Sequence, residues 1–437
     1  MNKPFMTRCF LAGLMVIVGT YFGEALPNRS DAEEKPLCDP DNGGIVLPDG
    51  FCSMVVADNL GRGRHVEVAS NGDIYVSLRD RPDSLGAVIA LRDADGDGRA
   101  EVRERFGDGG GTGLVLHNGY LYLARTSSIV RFPMREGELL PIGPSETLIT
   151  LPTQRSHADK GLAFDDAGAL YVNVGAPSNA CQEPDREVSV PGQNPCPLLE
   201  RHGGIWRFDG SRSGQTQDNG GVLYATGMRQ MIALAWHRSG ELYLVQHGRD
   251  QLNTLWPDQF TDEQNAELPS EEFQRVLENS DFGWPYCHHD WQQNKRVQSP
   301  EYGGNGTEVG QCAQYPPPIM GFPGHWAPND LIFYSGDQFP ERYRGGAFIA
   351  FHGSWNRAPL PQGGYNVTFV PFGEIEPSGD YEIFADGFAG QKPLMERSSA
   401  TYRPTGLAEG PDGSLYISDS VNGRLWRVMY RDFPSSN

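Results

Sequence analysis

Short runs in which apolar and polar residues alternate recur along the chain, separated by Gly-containing turns, and five of them carry the same phrase. It reads NGDIYV (71–76), NGYLYL (118–123), AGALYV (167–172), SGELYL (239–244) and DGSLYI (412–417). An alternating apolar stretch precedes each copy: HVEVAS, TGLVLH, KGLAFD, IALAWH and TGLAEG. A period of two predicts strands on both sides, and the X-Gly pair supplies the positive-φ residue of a tight hairpin. The phrase therefore marks a strand–turn–strand unit. Hairpins repeating at roughly 40–50 residues are the signature of propeller blades.

The long gap between Gly240 and Gly413 has room for a degenerate blade. GGAFIAFHGSW (345–355) followed by YNVTFVPF (365–372) has the two-strand character without the phrase. Further strands are expected at AVIALRD (87–93), SIVRFPM (128–134), GIWRFDG (204–210) and RLWRVMY (424–430). An ordinary β-sandwich with Gly-rich turns does not predict one phrase repeated so often. The expected fold is all-β, a six-bladed β-propeller with inserted loops and few short helices. Only TDEQNAELPSEEFQRVLEN (261–279) has a helical pattern, expected as a surface insertion. The length of 437 residues, with Gly 54 and Pro 33, suits one turn-dense domain that grows by adding blades.

The first residues read as a targeting segment. Lys3 and Arg8 precede an apolar run at 9–22, and Gly23 and Ala25 stand at −3 and −1 to a cleavage point, giving a signal peptide at 1–25. An uncleaved anchor is the competing reading, but the run is short for a membrane span. After it are expected an N-terminal segment (26–46) tied by a disulfide and the propeller (47–432), in a periplasmic or secreted protein. Six cysteines then remain in three sequence-local couples, read as Cys38–Cys52, Cys181–Cys196 and Cys287–Cys312. Zinc is the rival and lacks CxxC spacing, although His288 and His289 follow Cys287. The net charge of −20, or −21 once Lys3, Arg8 and Glu24 leave, excludes nucleic acid as a partner and opposes anionic membranes. No stable membrane insertion is expected after cleavage.

Arginines need a local reason on so acidic a chain. Arg64, Arg229 and Arg403 each stand beside the first strand of a blade, so they should converge around one mouth of the central channel. His157, His247, Arg249, His352, Asn356 and Arg357 join them in the same reading. Guanidinium is the group suited to gripping carboxylates bidentately. A second pattern is a calcium loop in DADGDGRAEVRE. Asp93, Asp95, Asp97, Gly98, Glu101 and Glu104 fit positions 1, 3, 5, 6, 9 and 12, and Arg99 occupies a ligand position between them. Without flanking helices, the loop reads as a structural calcium site.

From about residue 47 to 430 the chain resembles the soluble pyrroloquinoline-quinone-dependent sugar dehydrogenases. It looks closest to the sorbosone dehydrogenase-like branch, on the strength of HGSWNRAPLPQGGYNV (352–367). The resemblance implies a tricarboxylate ortho-quinone, pyrroloquinoline quinone, held at the mouth by arginines and by a calcium ion, and a sugar, aldose or related polyol as substrate. A histidine takes the substrate's hydroxyl proton as hydride passes to the quinone, and an external acceptor, a cytochrome or a quinone, takes the electrons. SHADKGLAF carries the base onto His157. GMRQM places Arg229, also implied in catalysis, and Gln230 beside the quinone. QHGRD assigns calcium-binding carbonyls to Gly248 and Arg249, and RPTGLAEG assigns a last-blade contact to Arg403. Arg64, His352, Asn356 and Arg357 complete the expected cofactor contacts. Gln230 stands where the glucose dehydrogenase branch has Asn, Arg249 where it has Pro, and its quinone-contacting Lys has no counterpart. Two alternatives remain open on the sequence. One is a calcium-dependent propeller lactonase, which would need Glu, Asp and Asn around a central metal. The other is a non-catalytic propeller that binds a partner.

Overall fold

The alternation folds as its period dictates. In the computed structural model, which describes residues 1, 37–80 and 86–431, the turn glycines Gly72, Gly119, Gly168, Gly240 and Gly413 hold φ between 76° and 88°. A Cβ makes this left-handed conformation costly, so glycine is the residue that lets each hairpin close. The expected signal peptide lies outside the described residues. Among the described residues no helix is long and apolar enough to cross a membrane.

Six antiparallel sheets result, each with four main strands. Their innermost strands are Gly63–Val68, Leu114–His117, Leu162–Phe164, Ala233–His237, Pro328–Phe333 and Pro404–Glu409. Val66, Leu114, Leu162, Leu234, Leu331 and Leu407, one from each blade, line a central channel of ≈ 290 Å³. The chain is therefore a six-bladed β-propeller. The expected degenerate blade is the fifth, with Ala347–Phe351 and Asn366–Val370 as its second and third strands.

The ring is closed by the N-terminal strand. Phe51–Ala57 pairs antiparallel with Leu425–Tyr430 as the outer strand of the sixth blade, with Phe51 opposite Tyr430. Phe51 is the hub of an edge-on aromatic cluster with Phe339, Tyr343 and Phe384 at 4.8–5.2 Å between ring centres. Cys52, on the same strand, is bonded to Cys38. The other two expected disulfides are also formed, so Cys287 is bound to Cys312 and is not free for a metal.

One expectation needs correction. Of the segment 261–279 only Asp262–Glu267 is helical, with Thr261 capping it by accepting from the Gln264 amide. Pro269 stops the helix, and Glu271–Val276 is the third strand of blade four, paired with Glu241–Gln246. The polar residues that looked like a helix surface are buried partners: Glu272 binds Arg296 at 2.5 Å. A hairpin, Cys287–Asp290 with Lys295–Gln298, follows as an insertion fastened by Cys287–Cys312.

Because every inner strand runs the same way, the loops that enter inner strands and those that leave second strands share one face. Residues 62–64, 157–160, 229–230, 247–250, 352 and 403 all belong to such loops or strand ends.

The closure is testable. Cys38 and Cys52 are 14 residues apart, so Cys38→Ser with Cys52→Ser should lower unfolding free energy by about 3 kcal/mol in a urea titration. An unchanged midpoint would mean that the N-terminal strand needs no staple.

Candidate active site

The mouth has two unlike halves. On the side of blades six and one is a concave pocket of ≈ 490 Å³ lined by Arg62, Arg64, Arg79, Arg397, Arg403 and His352, with no acidic residue among its described lining. Arg64 is 7% exposed. Among the described residues its guanidinium makes one hydrogen bond, a long one from Nη1 to the Gly63 carbonyl at 3.3 Å. Asp159 attracts it from a distance but pairs with Arg79 at 3.3 Å. Burial pushes the Arg64 guanidinium down to about 10. Arg403 donates Nε to the His352 carbonyl at 2.9 Å and Nη2 to the Gly353 carbonyl, and lies over the Tyr365 ring. It too meets no carboxylate at ion-pair distance among the described residues. His352 Nε2 is 2.7 Å from Ser420 Oγ, and burial beside Arg403 and Arg64 keeps its ring neutral.

On the side of blades three and four the groups are already bonded to one another. His157 sits at φ 52°, a left-handed conformation that its Cβ makes costly, and Gln154 pins it by donating Nε2 to the His157 and Gly175 carbonyls at 2.9 Å. His157 Nδ1 is 2.5 Å from the Ala176 carbonyl. A carbonyl only accepts, so Nδ1 carries the hydrogen and Nε2 keeps the lone pair. Burial, then the charge of Arg229, pushes this imidazole down to about 3. Arg229, 3% exposed, donates Nη2 to Asp250 Oδ2 at 2.5 Å and Nη1 to the Gly248 carbonyl at 2.8 Å. Asp250 also holds Arg186 at 2.8 Å and accepts from Asn356 Nδ2 at 2.9 Å. Burial alone would raise the Asp250 carboxyl, but Arg229 and Arg186 outweigh it and hold it well below the usual range. Gln230 donates Nε2 to the Asp159 carbonyl at 3.0 Å. A side chain at Gly175 would strike Gln230 Oε1 and the His157 carbonyl at 2.1 and 2.6 Å, which places Gln230 against the His157 loop.

Several expected residues turn elsewhere. Arg249 points inward, Nη1 pairing with the buried Glu301 at 2.9 Å. The Gly248 carbonyl already accepts Arg229, so a cation there would compete with a guanidinium. Arg357 does not line the basic pocket. It is a loop fastener, bonded to the Ala266 and Gly324 carbonyls and to Glu267 at 2.5 Å, because its neighbours in the 265–267 and 324 turns present bare carbonyl ends. In the acidic loop, ligand oxygens of Asp93, Asp95, Asp97 and Glu101 lie within 4.8 Å of one another. Glu104 does not join them, since strand Val102–Phe106 begins too early and sets it opposite Ala90. The Arg99 side chain leaves the loop for the Val55 carbonyl and Asp39.

Sequence reasoning missed Arg62, Arg79 and Arg397 in the pocket and two buried groups at the mouth. Lys160, fully buried, donates only to the Ala158 carbonyl and is pushed down to about 8 by burial. Glu271 accepts the amides of Gly248 at 2.8 Å and Ala327 at 3.1 Å and is pushed up to about 8 by burial. The usable signal was position: Arg62 and Arg79 flank strand ends on the same face as Arg64.

These buried groups set the sign of the pH dependence. His157, His247 and His288 stay neutral in the fold down to about 3–4, against 6.5 when solvated, so the unfolded chain takes up more protons below 6.5 and stability falls with pH there. Glu67 and Glu271, raised to about 8 from 4.5, bind protons in the fold and cost stability as pH rises towards 8. From these groups the urea midpoint should peak near pH 6.5; a midpoint that climbs steadily from pH 6.5 to 8 would show that the two glutamates are ionised in the fold.

Known proteins resemble this chain in sequence and in fold. An uncharacterized protein of Borreliella burgdorferi is 28% identical over 212 residues, 48% of this chain and 48% of that protein. The pyrroloquinoline quinone-dependent pyranose dehydrogenase of Coprinopsis cinerea is 26% identical over 249 residues, 49% of this chain and 32% of that protein. The matched stretch thus spans half or less of these relatives' length. Among solved structures, a calcium structure of a Trichoderma reesei carbohydrate-active enzyme of family AA12 superposes with TM-score 0.72 at 18% identity, covering 92% of this chain and 99% of that one. The holo form of the pyranose dehydrogenase PQQ domain from Coprinopsis cinerea gives 0.70 at 17%, covering 91% and 98%. The TrAA12-like family model matches residues 45–431, the whole propeller from the segment ahead of its closing strand to the end of its last blade, and the chain belongs to that family.

Proposed function

We propose that this chain is an exported quinoprotein dehydrogenase that oxidises a sugar, aldose or related polyol with pyrroloquinoline quinone, in the manner of the sorbosone dehydrogenase-like branch. The observation that carries this reading is Arg64, a buried guanidinium that pairs with no carboxylate among the described residues, in a pocket of arginines. A buried cation is expensive unless something neutralises it, and removing a partner from such a pair typically costs about 3–5 kcal/mol. A cofactor with three carboxylates supplies the missing charge. Arg64, Arg403 and His352 would hold it, with Arg62, Arg79 and Arg397 at the rim. When bound, the quinone would accept hydride from the carbinol carbon of the substrate.

The rest of the chemistry belongs to the chain. His157 Nε2, kept unprotonated by burial and by Arg229, takes the hydroxyl proton; the Ala176 carbonyl fixes which nitrogen is free. Asp250 fixes Arg229, so the positive charge beside the imidazole stays in place. The two loops around Gln154 and Gln230 hold His157 against movement. The acidic loop supports calcium at Asp93, Asp95, Asp97 and Glu101, whose ligand oxygens cluster within 4.8 Å. At Gly248 and Arg249 a calcium ion would require Arg229 to release the Gly248 carbonyl. Three formed disulfides suit an oxidising compartment, periplasmic or extracellular. An external acceptor, a cytochrome or a quinone, would complete turnover.

The reading is tested by adding the quinone and calcium to purified protein and challenging the complex with a panel of sugars. A bound quinone spectrum that some sugar reduces is the expected result, and protein that takes up no quinone would overturn the proposal. His157→Ala should leave quinone uptake intact and slow oxidation by about 10²–10⁴-fold in stopped-flow measurements. Full turnover in that variant would remove His157 from the mechanism. Arg64→Met should weaken quinone binding by about 2–5 kcal/mol by titration calorimetry. The same variant should melt no lower than wild type without quinone, because it deletes an uncompensated cation.

A further inference from the structure

Below the 246–250 loop, away from the basic pocket, lies a small chamber of ≈ 20 Å³ whose walls include Arg229, Arg249, Glu272, Trp284, His288 and Ser299. About 10–15 Å³ of such space holds one water, so a single small ion also fits. Four buried nitrogens of these wall residues have no hydrogen-bond partner among the described residues: Arg229 Nε, Arg249 Nε, Arg249 Nη2 and His288 Nε2. The Arg249 side chain is 3% exposed. Three of the four atoms are N–H groups that can only donate.

The carboxylates nearby are already engaged. Glu301 accepts Arg249 Nη1 and Trp256 Nε1, both at 2.9 Å. Glu272 holds Arg296 and Gln274 at 2.5 Å each. Asp250 is shared between Arg229 and Arg186. His288 Nδ1 lies 3.2 Å from Ser299 Oγ, and donation by that hydroxyl leaves Nε2 carrying a hydrogen, a fourth donor facing the same space. The oxygen of a water has two lone pairs and satisfies at most two of these donors, whereas an anion that only accepts satisfies every one of them at once.

We propose that this chamber binds a small monovalent inorganic anion of chloride size, gripped by Arg249, His288 and Arg229. The anion fastens the 246–250 loop of blade four to the inserted hairpin Cys287–Asp290, and so stiffens the mouth from beneath. The assignment is independent of the quinone.

Bromide in place of chloride makes it visible. Crystals of the wild-type protein grown in sodium bromide should show an anomalous peak between the Arg249 and His288 side chains. An ordered water only, or no density, overturns the proposal. In solution, chloride titrated against gluconate at constant ionic strength should raise the wild-type melting temperature. His288→Leu, its fold checked by circular dichroism, should lose most of that response; a response equal to wild type would place the anion elsewhere and overturn the assignment.

Discussion

Burying a guanidinium without a counter-charge is the constraint around which the mouth is organised. A free peptide could not hold Arg64 and Arg403 together out of water. A closed ring can, because each arginine is fixed at the entrance of an inner strand and six such strands meet at one channel. That closure depends on pairing Phe51–Ala57 with the last strand of the chain, so residues at opposite ends of the sequence set the spacing between blades one and six. The basic pocket lies on that seam. An acidic protein thus keeps a local positive field where the ring is sealed, and among the described residues Asp159, paired with Arg79, offsets part of it.

The two halves of the mouth divide the labour. The half built by blades three and four has its charges paired internally: Asp250 collects Arg229, Arg186 and Asn356, and the His157 ring is fixed by one carbonyl. It is preorganised, with one imidazole nitrogen left free. The half built by blades six and one is unsatisfied, and its surplus charge points to a ligand rather than to stability. An unsatisfied half selects what binds; a satisfied half keeps its geometry when binding occurs. Glu271 links the two ideas, since its carboxyl, accepting the Gly248 and Ala327 amides, holds the 246–250 loop in register with blade five.

Much of this was legible in the sequence because it is local or repeated. The hairpin phrase needs only a period of two and a glycine, and the disulfides join near neighbours. Arg64 and Arg403 do share one pocket, as their place before inner strands implied, but Arg229, expected with them, lines a different cavity because Asp250 holds its guanidinium. What was not legible depends on distant partners or on the direction a side chain takes. The closing strand pairs across nearly the entire chain, and no local signal marks it. The segment Glu271–Val276 reads as helix by composition, yet Pro269 and the buried Arg296 make it a strand. Arg249 and Arg357 stand in mouth loops but turn inward to Glu301 and Glu267, a choice set by carboxylates far away in sequence. Glu104 fits a spacing pattern, but strand pairing with Ala90 claims its backbone first.

The central claim is that the arginine pocket exists to neutralise a polycarboxylate. It is tested most directly by calorimetric titration of the protein with pyrroloquinoline quinone and, in parallel, with its trimethyl ester, which keeps the ring system and masks all three charges. The free acid should bind and raise the melting temperature, and the ester should do neither. Equal binding of the two would contradict it, because recognition would then rest on the ring and the buried guanidiniums would still want an explanation.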